Sequence, residues 1–102
     1  MNTQENTDRI GLVLDRKRLA QEAKNLDAVT RIGKNGLTPS VIEEIILQLK
    51  QKRLIKIKLL KAFLEGKDKK ALAQDIANKT NAVLVQQVGF VVVLYKGNSK
   101  SG

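Results

Sequence analysis

Few residues in this chain are suited to covalent chemistry. It contains no cysteine and no histidine. That excludes disulfides, thiolate or imidazole metal sites, and Ser-His or Cys-His nucleophile pairs. Its most obvious carboxylate pair, Glu43 and Glu44, occupies adjacent positions of a helical stretch, and adjacent helical residues do not face each other. What remains is anion binding. The segment Arg31-Ile32-Gly33-Lys34-Asn35-Gly36-Leu37-Thr38-Pro39 sets two glycines around a lysine and an asparagine. Glycine serves where a backbone needs positive φ or a very close approach, and Thr-Pro is a helix start with Thr38 as N-cap. Outward amides of the turn and the free N–H groups of the helix head make an anion site. Lys34 adds a mobile point charge suited to phosphate, and Asn35 tolerates the turn conformation. Arg31 is placed either to reach the same phosphate or to pair with a carboxylate. Together Gly33, Lys34, Asn35 and Gly36 have the make-up of a GxxG loop that clamps a nucleic-acid backbone. A bare β-to-α turn has the same pattern. The internal lysine, the helix start and the charge elsewhere favour binding.

That charge is substantial. Nineteen Lys and Arg against ten Asp and Glu leave a formal +9, which favours a polyanionic partner. It is densest from Lys50 to Lys61, where Lys50, Lys52, Arg53, Lys56, Lys58 and Lys61 occur without an acid. One reading is a solvated helix end followed by a lysine-protected edge strand. The other is a binding face, favoured because Lys56 and Lys58 share one side of a strand. Arg16-Lys17-Arg18 is mixed with acids and reads as a solvated helix face. Only Phe63, Phe90 and Tyr95 are aromatic. Phe90 and Tyr95 are expected in a buried hairpin, so a base-stacking platform is not expected. Binding would then rest on backbone contacts.

The chain must position these groups with 102 residues and 42% apolar content, enough for one domain and one core. Residues 1–8 and 97–102 are expected to be disordered, leaving a domain over 9–96. The longest apolar run is too short to cross a bilayer. No signal peptide is visible, and the lack of cysteine fits a reducing cytosol, so a cytoplasmic, membrane-free protein is expected. DRKRLAQEAKNLD, from Asp15 to Asp27, puts Leu19, Ala23 and Leu26 on one helical face. AVTRI reads as a strand. A second helix from Pro39 buries Val41, Ile42, Ile45, Ile46 and Leu49 and ends near Lys52 or Arg53. In LIKIKLL the alternation of isoleucine and lysine predicts a strand with one dry and one wet face. KAFLEGK is a connector with a helical turn. A third helix starts at Asp68 and closes at Asn81 in the left-handed conformation. Two strands near 82–88 and 90–96 form a hairpin at Gly89, and FVVVLY, apolar on both faces, belongs in the centre of the sheet. The order α-β-α-β-α-β-β describes an α/β sandwich with a mixed four-stranded sheet, helix one opposite the other two.

RIGKNGLT before a helix, then LIKIK, a short helix and VQQVGFVVVLYK resembles the CRM (chloroplast RNA splicing and ribosome maturation) domain, also called the YhbY-like family. The similarity spans about residues 15 to 96. It implies a fold similar to the C-terminal domain of translation initiation factor 3. It also implies a non-catalytic RNA-binding protein without a cofactor, whose partner is ribosomal RNA or a precursor of the large subunit. Multi-domain plant members assist group II intron splicing. Carried onto this chain, the resemblance points to the loop residues Gly33 to Gly36 and to Lys56 and Lys58. With Arg31, Thr38, Lys52 and Arg53 these make the expected interface. Asn81 stands where the family commonly has glycine, and the KAFLEGK connector is longer than in the compact bacterial form, as in an archaeal stand-alone member. A monomer is expected. The alternatives are a basic protein-interaction module and a KH domain, in which the GxxG loop joins two helices.

Overall fold

The computed structural model describes residues 16–96. The expectations for 1–8 and 97–102, and for a helix start upstream of Arg16, fall outside that range. Residues 16–23 form α1. Then follow β1 (Ala28–Ile32), α2 (Pro39–Lys52), β2 (Leu54–Leu59), α3 (Lys61–Leu64), α4 (Lys69–Lys79), β3 (Val83–Val88) and β4 (Val91–Tyr95). The strands make one mixed sheet in the order β1-β2-β4-β3. β1 runs parallel to β2, while β4 is antiparallel to both β2 and β3.

Side-chain period dictates the two layers. Ile55, Ile57 and Leu59 of β2 are buried with Ile32, Val92 and Leu94 beneath Ile45 and Leu49 of α2 and Ala73, Ile76 and Ala77 of α4. The opposite face of β4 contributes Val93, with Val91 and Tyr95 around it, to a smaller cluster under α1, where Ala23 meets Val85. β4 is thus covered on both sides and central, as its continuous apolar run predicts. Helix one lies opposite the others, also as expected.

Local signals explain the element ends. The Thr38 hydroxyl accepts from the Val41 amide at 3.2 Å, with Pro39 in the first turn of α2. Asp68 caps α4 by accepting from the Lys70 amide at 3.2 Å. Asn81, at φ 57°, closes it. At the hairpin, Gly89 has φ 57° and Phe90 does not share that sign. This is the pattern of a two-residue type II′ turn with glycine first.

Two expectations need correction. α1 stops at Ala23 rather than reaching Asp27, because the amides of Lys24, Asn25 and Leu26 bond three residues back, to Gln21, Glu22 and Ala23. Such contacts tighten and end a helix. Leu26 still packs against the α1-side cluster, so the apolar stripe outlasts the helix. Nor does Phe90 lie buried. It occupies the turn with 38% of its surface exposed, because the strand begins one residue after the apolar run does.

Candidate nucleic-acid interface

The topology gathers loops at one end of the sheet. β1, β2 and β3 point the same way, so their C-terminal ends share an edge with the loop before α2, with α3 and with the β3–β4 turn. In open α/β sheets the crevice beyond the strands' carboxyl ends is where ligands bind. Three contacts tie these segments together. The Leu60 amide donates to the Ile32 carbonyl at 2.9 Å, the Leu59 amide to the Phe90 carbonyl at 2.7 Å, and the Phe63 amide to the Leu60 carbonyl at 2.9 Å.

The two glycines of the loop serve different needs. A Cβ on Gly33 would lie 3.2 Å from Leu60 Cδ1, just past the end of β2, so a side chain there would press on the leucine and need it to shift by a few tenths of an ångström. Gly36 has φ 71°, with the Phe63 ring 3.5 Å from where its Cβ would stand. The Gly36 amide closes the turn on the Gly33 carbonyl at 2.9 Å, and the Thr38 amide bonds the Gly36 carbonyl at 3.1 Å. These two amides face inwards, which corrects the expectation that the whole loop points its N–H groups out. Among the described residues, no protein acceptor meets the amides of Lys34, Asn35, Leu37 or Ser40. Unpartnered amides beside a helix head attract an anion. The first turn of α2 carries no acid to satisfy that demand internally.

Around the loop, cations stand close to one another. Arg31 and Lys58 are direct partners across the β1–β2 ladder, where strands are about 4.8 Å apart. Like charges directly opposite each other destabilise a sheet. Among the described residues, no ion pair relieves Arg31, Lys34, Lys56 or Lys58. Lys58 is exposed and Lys56 half-buried. Arg31, Lys56 and Lys58 project on the α1 side of the sheet, whereas the loop crosses to α2 on the other side. They border the glycine turn across the sheet edge rather than lining its amides.

Not every expected site residue reaches this end. Lys52 ends α2 and Arg53 caps it, at the far end of a helix whose fourteen residues span about 21 Å at 1.5 Å per residue. Lys52 helps line an open pocket of about 420 Å³ with Asn25, Asp27 and Gln48. The Arg53 guanidinium carbon sits 5.9 Å from the centre of the Tyr95 ring, and its backbone, at φ 65°, donates to the Leu49 carbonyl to end the helix. Thr38 is at the loop, but its hydroxyl is occupied as the cap.

Conversely, the loop end holds cations that sequence reasoning overlooked. Lys67 Nζ lies 5.0 Å from the centre of the Phe63 ring, whose edge supports Gly36, and Lys69 Nζ lies 4.6 Å from that of Phe90. A signal was available. Lys67, Lys69 and Lys70 flank the cap of α4, where the helix dipole disfavours positive charge.

Glu44, by contrast, accepts from Gln48 Nε2 at 3.0 Å on the exposed face of α2. Among the described residues, no group of three acids could hold a metal ion, and no helix is long and apolar enough to cross a membrane. The strand at 28–32 removes the KH reading, which needs a helix before the loop.

Comparison with known proteins agrees with this arrangement. A Methanocaldococcus jannaschii protein named "Probable RNA-binding protein" is 37% identical over 81 residues, covering 79% of this chain. The chain spans only 60% of that relative's length. A Haemophilus influenzae protein named "RNA-binding protein" is 34% identical over 79 residues, 78% of each chain. The solution structure of a Staphylococcus aureus protein superposes with a TM-score of 0.71 at 31% identity, covering 85% of this chain and 88% of that one. Residues 14–96 match the family model described as the CRS1 / YhbY (CRM) domain. With that span matched and the strand, loop and helix order in place, the chain belongs to the CRS1/YhbY (CRM) domain family.

Proposed function

We propose that this protein binds RNA without catalysing a reaction on it, and that its ligand is ribosomal RNA during assembly of the large subunit. The observation that carries the reading is the loop end itself. Unpartnered amides of a GxxG turn stand beside Lys34, with Arg31 and Lys58 across the sheet edge, and no described carboxylate is paired to any of the three cations. A ribose-phosphate strand supplies the missing acceptors and the missing charge together. The relatives named as RNA-binding proteins support the ligand class. In this reading the protein acts in the cytoplasm as a monomer, needs no cofactor, and reads backbone more than base edges.

A salt titration of binding to a short single-stranded RNA tests it. If about five phosphates are neutralised, the log–log slope lies near −3.5. Lys34→Asp, at an exposed turn position, weakens binding by about tenfold or more and leaves the circular dichroism spectrum unchanged. A basic protein-interaction module would instead give weak RNA affinity with little salt dependence.

A further inference from the structure

Phe90 is the largest side chain at the loop end that neither apolar cluster absorbs. It is 38% exposed, beside Val88 at 61%. The turn that presents it is braced twice, by Gln87 Nε2 donating to the Gly89 carbonyl at 2.8 Å and by the Leu59 amide donating to Phe90's own carbonyl at 2.7 Å. The next amide along, that of Leu60, bonds Ile32, the residue before Gly33. Phe90 therefore stands two strand spacings, about 10 Å, from the start of the glycine turn. Lys69 lies over its ring at 4.6 Å. Asp68, the acid adjacent in sequence, is engaged by the Lys70 amide.

We infer that Phe90 is a stacking site for one unpaired base of an RNA strand whose backbone is held at the glycine turn, with Lys69 meeting the phosphate beside that base. The inference rests on the RNA reading above and adds a base contact to it. Every base has a π face, so an aromatic side chain accepts bases with little sequence preference. The Lys69 cation at the ring selects a polyanion over an apolar peptide as its occupant. The braced turn holds the ring in place before binding, which lowers the ordering cost of the contact.

The test uses a labelled short single-stranded RNA and three Phe90 variants of the full chain, with Lys34→Asp as the control for the loop. Phe90→Ala weakens binding about tenfold without changing the salt slope, because the ring neutralises no phosphate. Phe90→Leu, which keeps apolar surface but has no π face, is weakened nearly as much. Phe90→Trp retains affinity, and its indole, the sole tryptophan of the chain, is quenched when RNA is added. The quenching readout serves even if the alanine variant fails to fold. Wild-type affinity in Phe90→Ala, together with weak binding by Lys34→Asp, overturns the stacking site while the RNA reading stands. Wild-type affinity in Phe90→Leu reduces the ring to an apolar contact and overturns stacking too. Absence of salt-dependent RNA binding by the wild type removes both readings at once.

Discussion

β2 has two faces that use the same six residues for opposite ends. Ile55, Ile57 and Leu59 are at most 1% exposed beneath α2 and α4. Lys56 and Lys58, between them, look out on the α1 side, where α1 covers chiefly β3 and β4 and leaves the β1–β2 edge open. One face thus carries stability. The other carries repulsion between Arg31 and Lys58 that no described carboxylate offsets. The sequence reading of β2 as a lysine-protected edge strand does not hold, because β2 is paired on both sides, to β1 and to β4, and has no edge to protect. Two facing cations, beside a turn with unpartnered amides, are better explained by a ligand that supplies the opposite charge.

The sharpest way to break this contrast is to change each face separately. Ile57→Ala, at a fully buried position, should lower unfolding free energy by about 2–5 kcal/mol. Domains of this size hold only about 5–15 kcal/mol in total. Chemical denaturation would show the midpoint falling, and RNA affinity of the folded fraction should be unchanged. A drop of less than about 1 kcal/mol, well under the usual range for such a truncation, would mean that the α2 side of β2 does not carry the stability that its packing implies.

On the other face the expected signs reverse. Replacing Arg31 and Lys58 together by alanine should leave stability within about 0.5 kcal/mol, or raise it slightly as the like-charge repulsion is relieved. RNA binding should weaken several-fold. The log–log salt slope should become shallower by about 1.4, or about 0.7 for each phosphate of a single strand that is no longer neutralised. An unchanged slope with unchanged affinity would make this a solvated face with no part in binding.

What the sequence revealed follows the same division. The alternation in LIKIKL exposed both faces of β2, because a period of two with charge on one side has no other reading. The Thr38-Pro39 start and the left-handed Asn81 were equally local and equally legible. Phe90 was not, since FVVVLY is uniformly apolar and nothing in composition marks the residue at which a turn becomes a strand. Lys67 and Lys69 were hidden for a topological reason. Their place beside the glycine loop depends on α4 starting at the same sheet end as α2, and that depends on the order β1-β2-β4-β3. The grouping of Lys52 and Arg53 with the loop failed for the converse reason. Nearness in sequence to Lys56 and Lys58 says nothing about which end of a helix faces the site.

That last point yields the smallest expected effect. Lys52 lies about 21 Å along α2 from its head, and at physiological ionic strength the field of an exposed charge is screened over about 8 Å. Its charge therefore contributes little at the loop, and Lys52→Ala should change RNA affinity by less than about twofold with the salt slope intact. Its own effect belongs to the helix. Removing a cation from the last turn of α2 should cost about 0.3–1 kcal/mol through the dipole, visible as a small drop in the denaturation midpoint. If instead the slope shifts by as much as one neutralised phosphate is worth, the strand of RNA must run from the glycine turn along the open α1-side face of β1 and β2 to the far end of the sheet. The interface would then be far longer than the loop end alone requires.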